Sequence, residues 1–151
     1  MKTVDYTHPL PGEDQGKVFV LTRMDAFAAD SWARHVLQAA IRGGARVGAD
    51  MAEAGLAGLA AFGLEIFGFM EEADLDAALA RLMQCVKIRP DPHRTEVTRA
   101  VISADFAEPE TLGMVRAEAF RLHVGFLRAA AHQLFPLVAA LLGDEAAQAP
   151  L

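Results

Sequence analysis

Asp25-Ala26-Phe27-Ala28-Ala29-Asp30-Ser31-Trp32-Ala33-Arg34-His35-Val36-Leu37-Gln38-Ala39-Ala40-Ile41-Arg42 is the stretch on which the fold class turns. Ala29, Trp32, Ala33, Val36, Leu37, Ala40 and Ile41 recur at steps of three and four, which makes one apolar stripe on a helix. Arg34, Gln38 and Arg42 fall on the opposite face. Asp25 or Asp30 suits the helix start, and Gly43-Gly44 suits its end. The period is helical, not alternating, so this segment predicts a helix that buries one side.

Upstream, Lys17-Val18-Phe19-Val20-Leu21-Thr22 is rich in strand formers and reads as one short strand. Residues 1–16 are polar and hold Pro9, Pro11, Gly12 and Gly16, which reads as a loose or extended arm. Downstream, Asp50 can open a second helix through Phe69. Its glycines each cost about 1 kcal/mol of helicity against alanine. They imply close backbone approach or a break near Gly63. A third helix is expected from Leu75 to Cys85, opened by Asp74, with Leu75, Leu79, Leu82, Met83 and Val86 as its apolar face.

Pro90 and Pro92 exclude regular helix in the next stretch. Val86-Lys87-Ile88 and Val97-Thr98-Arg99-Ala100-Val101-Ile102 flank it, either as a small hairpin or with the second segment as a short helix. The fourth helix starts near Glu108-Pro109-Glu110, where acids and proline suit a first turn. Leu112, Val115, Ala119, Leu122 and Phe126 form its stripe, with Arg116, Arg121 and Arg128 off it. Pro136 should kink or end this helix. Leu137 to Leu142 suits a last turn, and residues 143–151 read as a frayed tail. No repeat or linker interrupts the chain. The expected fold is therefore mainly α: a compact bundle of about four helices over 17–142, with a short N-terminal strand and room for a small hairpin.

The length of 151 residues suits one domain with a real core. Twenty acidic residues against 14 basic ones leave a net charge of −6, which argues against nucleic acid as a partner. The single Cys85 forbids an intramolecular disulfide and fits a cytoplasmic setting. The first residues lack the apolar core of a secretory signal. Gly55 to Met70 is nearly all apolar, but Glu65 interrupts it and Glu53, Glu71 and Glu72 flank it, so no run reaches the roughly 20 residues a span needs.

Chemistry-bearing residues do not form a legible catalytic set. His8, His35, His93, His123 and His132 show no metal-ligand spacing and read as surface or capping histidines. Cys85 ends an apolar helix face and reads as a buried structural cysteine. Ser31 and Ser103 lie in no nucleophile elbow. Gly43 to Gly48 lacks the lysine of a phosphate loop. Glu65, Glu71, Glu72, Asp74 and Asp76 form an acidic run, read as a solvated junction, an acid–base pair or a docking patch for a basic partner. Lys87, Arg89, His93, Arg94 and Arg99 form the one basic cluster, read as a salt-bridged or solvated loop or as a partner contact. No enzyme activity, cofactor or metal is expected.

Three blocks, taken in order, carry a resemblance: Phe19-Val20-Leu21-Thr22-Arg23-Met24, Met83-Gln84-Cys85-Val86-Lys87-Ile88-Arg89-Pro90-Asp91-Pro92, and Ala117-Glu118-Ala119-Phe120-Arg121-Leu122-His123-Val124-Gly125-Phe126. The chain resembles tail assembly chaperones of long-tailed bacteriophages and their prophages over roughly Lys17 to Phe126. The resemblance implies a role in virion assembly: binding the tape measure protein and recruiting tail tube subunits in the host cytoplasm, with no place in the mature virion. It implies protein partners only, with no membrane, and leaves a homo-oligomer open.

A chaperone of this kind should offer apolar surface to an amphipathic helix. The candidates are Phe62, Phe67, Phe69 and Met70, then Leu134, Phe135, Leu137, Leu141 and Leu142, with Lys87, Arg89 and Arg94 as polar contacts. The alternative for each apolar residue is the core. The rival functions are an unrelated small helical adaptor or regulatory protein of phage or bacterial origin, and an enzyme with a site built from scattered residues.

Overall fold

The central strand is Val18–Thr22 (β2), which is buried on both faces: Phe19 and Leu21 are sealed on one, Val20 on the other. The computed structural model describes residues 2–134, apart from the side chains of residues 49, 52 and 126–134. In it, β2 pairs antiparallel with Thr3–Thr7 (β1) and with Val86–Arg89 (β3), and β3 pairs antiparallel with Arg99–Ala100 (β4). The helices are Ala26–Arg42 (α1), Ala49–Glu53 (α2), Leu56–Phe62 (α3), Glu72–Met83 (α4) and Pro109–Leu134 (α5). Two 3-10 segments, Gly63–Phe69 and Ser103–Asp105, complete the described chain.

The expectation of a mainly α bundle is overturned by this four-stranded antiparallel sheet; the chain is mixed α/β. The 1–16 stretch, expected as an arm, holds β1. Its Thr3, Asp5 and Thr7 face outward, and only Val4 and Tyr6 turn inward. An edge strand needs just that much apolar character. Of the two alternatives for the segment after Pro92, the hairpin is the one that forms, with Lys87 opposite Ala100 and Ile88 opposite Arg99.

The described parts of Met1–Asp25 and Asp76–Leu122 form one compact unit, and those of Ala26–Leu75 and His123–Leu151 another. In the first, the register lines up Tyr6, Phe19 and Ile88, then Val4, Leu21 and Val86, on one face of the sheet. Phe106 stacks on Phe19 at 5.2 Å between ring centroids, and Val115 and Ala119 of α5 are fully buried. On the other face, Arg89 reaches over β2 to Asp5 at 2.5 Å.

In the second unit, α1 buries Ala29, Trp32, Ala33, Val36, Leu37 and Ala40 as its period predicts, while Ile41 stays 39% exposed. The expected second helix is broken twice. Gly55 at φ 58° separates α2 from α3, and Gly63 at φ 74° turns α3 into the 3-10 segment. Both conformations favour glycine, so the glycines act here as breaks. Helix α4 starts earlier than expected, at Glu72, and Asp74 in its first turn meets Arg42 at 3.3 Å. Among the described residues no helix is long and apolar enough to cross a membrane. Pro136, Leu137–Leu142 and the 143–151 tail lie outside the described residues.

Candidate functional site

Three groupings have the chemistry to act: a buried polar chain, a cleft beside it, and an exposed apolar face.

The polar chain lies in the first unit, where the β1–β2 connection meets the start of α5. Asp14 is completely buried and accepts the backbone N–H groups of Ala107 at 3.1 Å and Glu108 at 3.0 Å. Lys17 donates to the same carboxylate at 2.6 Å and to the Asp105 carbonyl at 2.8 Å. Burial alone would raise the Asp14 carboxyl. The hydrogen bonds from Lys17, Thr111, Ala107 and Glu108 outweigh it and hold the group well below the usual carboxylate range. The contact is reciprocal, because Glu108 Oε1 accepts the N–H of Glu13 at 3.2 Å.

Deeper in, His8 Nε2 lies 3.3 Å from Thr111 Oγ1, and His8 Nδ1 lies 3.3 Å from Tyr6 Oη. A hydroxyl beside an imidazole has part of what nucleophilic catalysis needs, but the second ring nitrogen of His8 faces Tyr6 and not a carboxylate. Exposure decides against that reading: His8 is 1% exposed, and Thr111 and Asp14 are 0% exposed, so no substrate reaches them. The cluster is a satisfied strut that fixes α5 to the sheet. His8 and His123 are both buried, which corrects their reading as surface or capping histidines; His123 lies 6.0 Å from Trp32 between ring centroids.

The cleft, about 330 Å³, is lined by Lys17, Ile88, Arg89, Pro90, Arg99 and Asp105 among others. It is rich in cations, yet each is already engaged. Lys17 is held by Asp14, Arg89 by Asp5 and the Thr95 carbonyl, and Arg99 by a two-pronged bond to Asp105 at 2.7 and 2.8 Å. Arg99 hydrogen bonding draws the Asp105 carboxyl below its ordinary value, and Asp105 raises Arg99 in turn. An anion entering here must displace a carboxylate. Of the basic residues singled out in the sequence, Arg89 is thus an internal strut. Lys87 is exposed, and Arg94 is exposed beside Glu96 at 3.6 Å. Among the described residues, no three His, Cys, Asp or Glu side chains converge on a cation position.

The apolar face lies in the second unit. Phe62 and Phe69 meet edge to face at 6.5 Å between ring centroids, so the two ends of the 3-10 segment close on each other. Phe69 is 42% exposed and Leu64 44% exposed, while Ile66 between them is fully buried. Phe62, Phe67 and Met70 are half-buried. Gly43, just past the end of α1, lies directly against the Phe69 carbonyl; a side chain there has no room.

No family model, curated protein or solved structure matches the chain.

Of the residues singled out in the sequence, Phe62, Phe67, Phe69 and Met70 come together, and Lys87, Arg89 and Arg94 lie in the other unit. The side chain of Leu134, and all of Phe135, Leu137, Leu141 and Leu142, lie outside the described residues. Sequence reasoning missed Leu64 and Phe27. Phe27 is 91% exposed. The signal was present: Phe27 shares the polar row of α1 with Ser31, Arg34 and Gln38 at helical spacing, where a phenylalanine has no core to enter.

Proposed function

We propose that this protein is a non-catalytic escort for another protein, acting as a tail assembly chaperone of a long-tailed bacteriophage or prophage. On this reading it holds the tape measure protein in the host cytoplasm and brings tail tube subunits to it, then leaves before the virion is complete. The resemblance of the three sequence blocks supplies the partners. The observation that carries the escort chemistry is the exposed apolar face at Leu64 and Phe69, with the half-buried Phe62 against Phe69. Single exposed apolar residues are ordinary on any surface. Aromatic rings that meet each other while facing water are the kind of surface that accepts an apolar helix. The hydroxyl of Thr111 and the imidazole of His8 are, by contrast, sealed from substrate.

The test is co-expression with the very long gene product expected beside this gene, read as the soluble fraction and as a complex on size exclusion. The escort reading expects the tape measure protein to move from the insoluble to the soluble fraction and to co-elute with this chain. It is abandoned if solubility is unchanged and the neighbouring genes are unrelated to a tail.

A further inference from the structure

The exposed apolar face carries a charge signature that specifies what fits it. Between Arg46 and Leu75 the chain carries Asp50, Glu53, Glu65, Glu71, Glu72 and Asp74, and no lysine or arginine. A 3-10 segment has three residues per turn, so side chains three apart stack in rows. Over Gly63–Phe69 the row of Leu64, Phe67 and the adjoining Met70 is partly exposed, and the neighbouring row is exposed Glu65 with Gly68. Glu71 and Glu72, both exposed, follow Phe69 and Met70 directly. Leu64 thus has a carboxylate next to it in the chain, and Phe69 has one two positions on. Asp74 is engaged by Arg42, but none of Glu65, Glu71 and Glu72 is in an ion pair among the described residues.

We infer that the 3-10 segment, with Phe62, Met70 and Glu71, is a docking face for an amphipathic helix of a partner protein that carries lysine or arginine along the edge of its apolar stripe. Leu64, with the half-buried Phe67 and Met70 of its row, takes the apolar stripe, Phe69 borders it from the row of Ile66, and Glu65 and Glu71 meet the flanking cations. The carboxylates speed encounter and reject acidic helices, while the apolar contact holds the complex. A basic partner helix also explains why the acids beside this face carry no compensating base of their own. The inference rests on the escort reading and names the chemistry of its partner.

The experiment uses the full chain and a labelled synthetic helical peptide with leucines on one face and lysines on the other, followed by fluorescence anisotropy. A second peptide replaces every lysine with glutamate. The basic peptide is expected to bind at least about tenfold more tightly than the acidic one, and to weaken as salt rises. Leu64→Ser/Phe69→Ser and, separately, Glu65→Lys/Glu71→Lys should each weaken the basic peptide by about tenfold or more. Glu13→Lys/Glu96→Lys makes the same net charge change at exposed acids of the other unit and should leave binding within about twofold. Circular dichroism and Trp32 emission confirm that each variant is folded.

The inference is overturned if the two peptides bind alike, if wild type binds neither, or if the Glu13/Glu96 control loses as much as the Glu65/Glu71 variant. It is also overturned if wild type sediments as a dimer that Leu64→Ser/Phe69→Ser dissolves, because a second copy then occupies the face. Should the peptides fail while co-expression still solubilises the tape measure protein, the docking face is lost and the escort reading stands.

Discussion

The Asp14 carboxylate, in the β1–β2 connection, accepts the backbone N–H of Glu108 at 3.0 Å from 94 residues away in sequence. The start of α5 is therefore capped from outside its own sequence. A helix start has N–H groups with no partner inside the helix, and a buried one must find acceptors elsewhere. Replacing Asp14 with Ala leaves the Ala107 and Glu108 N–H groups without their acceptor and leaves Lys17 with the Asp105 carbonyl alone. The expected loss is about 1–3 kcal/mol, read as a lower urea midpoint, with Asp14→Asn recovering part of it.

Acid should weaken the fold through the same group. The carboxyls of Asp14 and Asp105 both lie below their ordinary value in the folded chain. Hydrogen bonding outweighs burial at Asp14, and Arg99 leads at Asp105. A depressed carboxyl contributes stability that is complete above its unfolded value of about 4 and is lost as pH falls through the folded one. The thermal midpoint should accordingly be flat above about pH 5 and fall steeply below about pH 4. Asp14→Asn should be less stable at neutral pH and show a shallower acid limb. An acid limb as steep as wild type in that variant would assign the titration to other groups.

Helix α1 was legible because its burial follows its own period: the residues spaced three and four apart are the buried ones, down to Ala40. The sheet was not, for two reasons. Strand β1 presents only Val4 and Tyr6 to the core, and β4 is two residues long, so neither makes an apolar run. The pairing of β2 with β3 joins Leu21 to Val86 across the whole helical segment between them, and local periodicity carries no trace of a partner so far away. The same limit hid the polar strut. His8, Asp14 and Thr111 look like loop and helix-surface residues until the fold brings them together. The aromatic face was legible in part, because Phe62, Phe67, Phe69 and Met70 are close in sequence and share one short segment.

Gly55 is the break most sensitive to substitution. Its φ of 58° with ψ of −120° lies where only glycine is comfortable, and a Cβ there meets the Asp30 carboxylate. Gly55→Ala should cost about 1–3 kcal/mol. Gly113→Ala, in α5 with open space around it, should be neutral or slightly stabilising. Paired urea melts of the two variants read the contrast directly.

Phe27 and Trp32 offer a second contrast on one helix. Trp32 is 5% exposed and Phe27 is 91% exposed, although only five positions separate them on α1. Trp32→Ala should cost about 3–5 kcal/mol, in the range of large aromatic truncations. Phe27→Ser should change stability by no more than about 0.5 kcal/mol. It should still lower the binding of an apolar fluorescent dye to the native protein, because the ring it removes faces water. A large loss of stability in Phe27→Ser would mean that this ring packs in solution.

Cys85 precedes β3, and its carbonyl accepts the Thr22 N–H at 2.9 Å, so its backbone belongs to the sheet. Its side chain is 8% exposed. Burial raises the thiol above its ordinary value, and the opposing pull of Arg81 does not reverse that. Only the thiolate attacks an electrophile, so both access and ionisation slow the reaction. Labelling with a disulfide reagent at neutral pH should be at least about tenfold slower in the folded chain than in urea. The rate should rise with pH well beyond the range in which a solvent-exposed thiol has already levelled off. Arg81→Ala removes the one cationic influence and should slow labelling further; a faster rate in that variant would show that access, not ionisation, governs this cysteine.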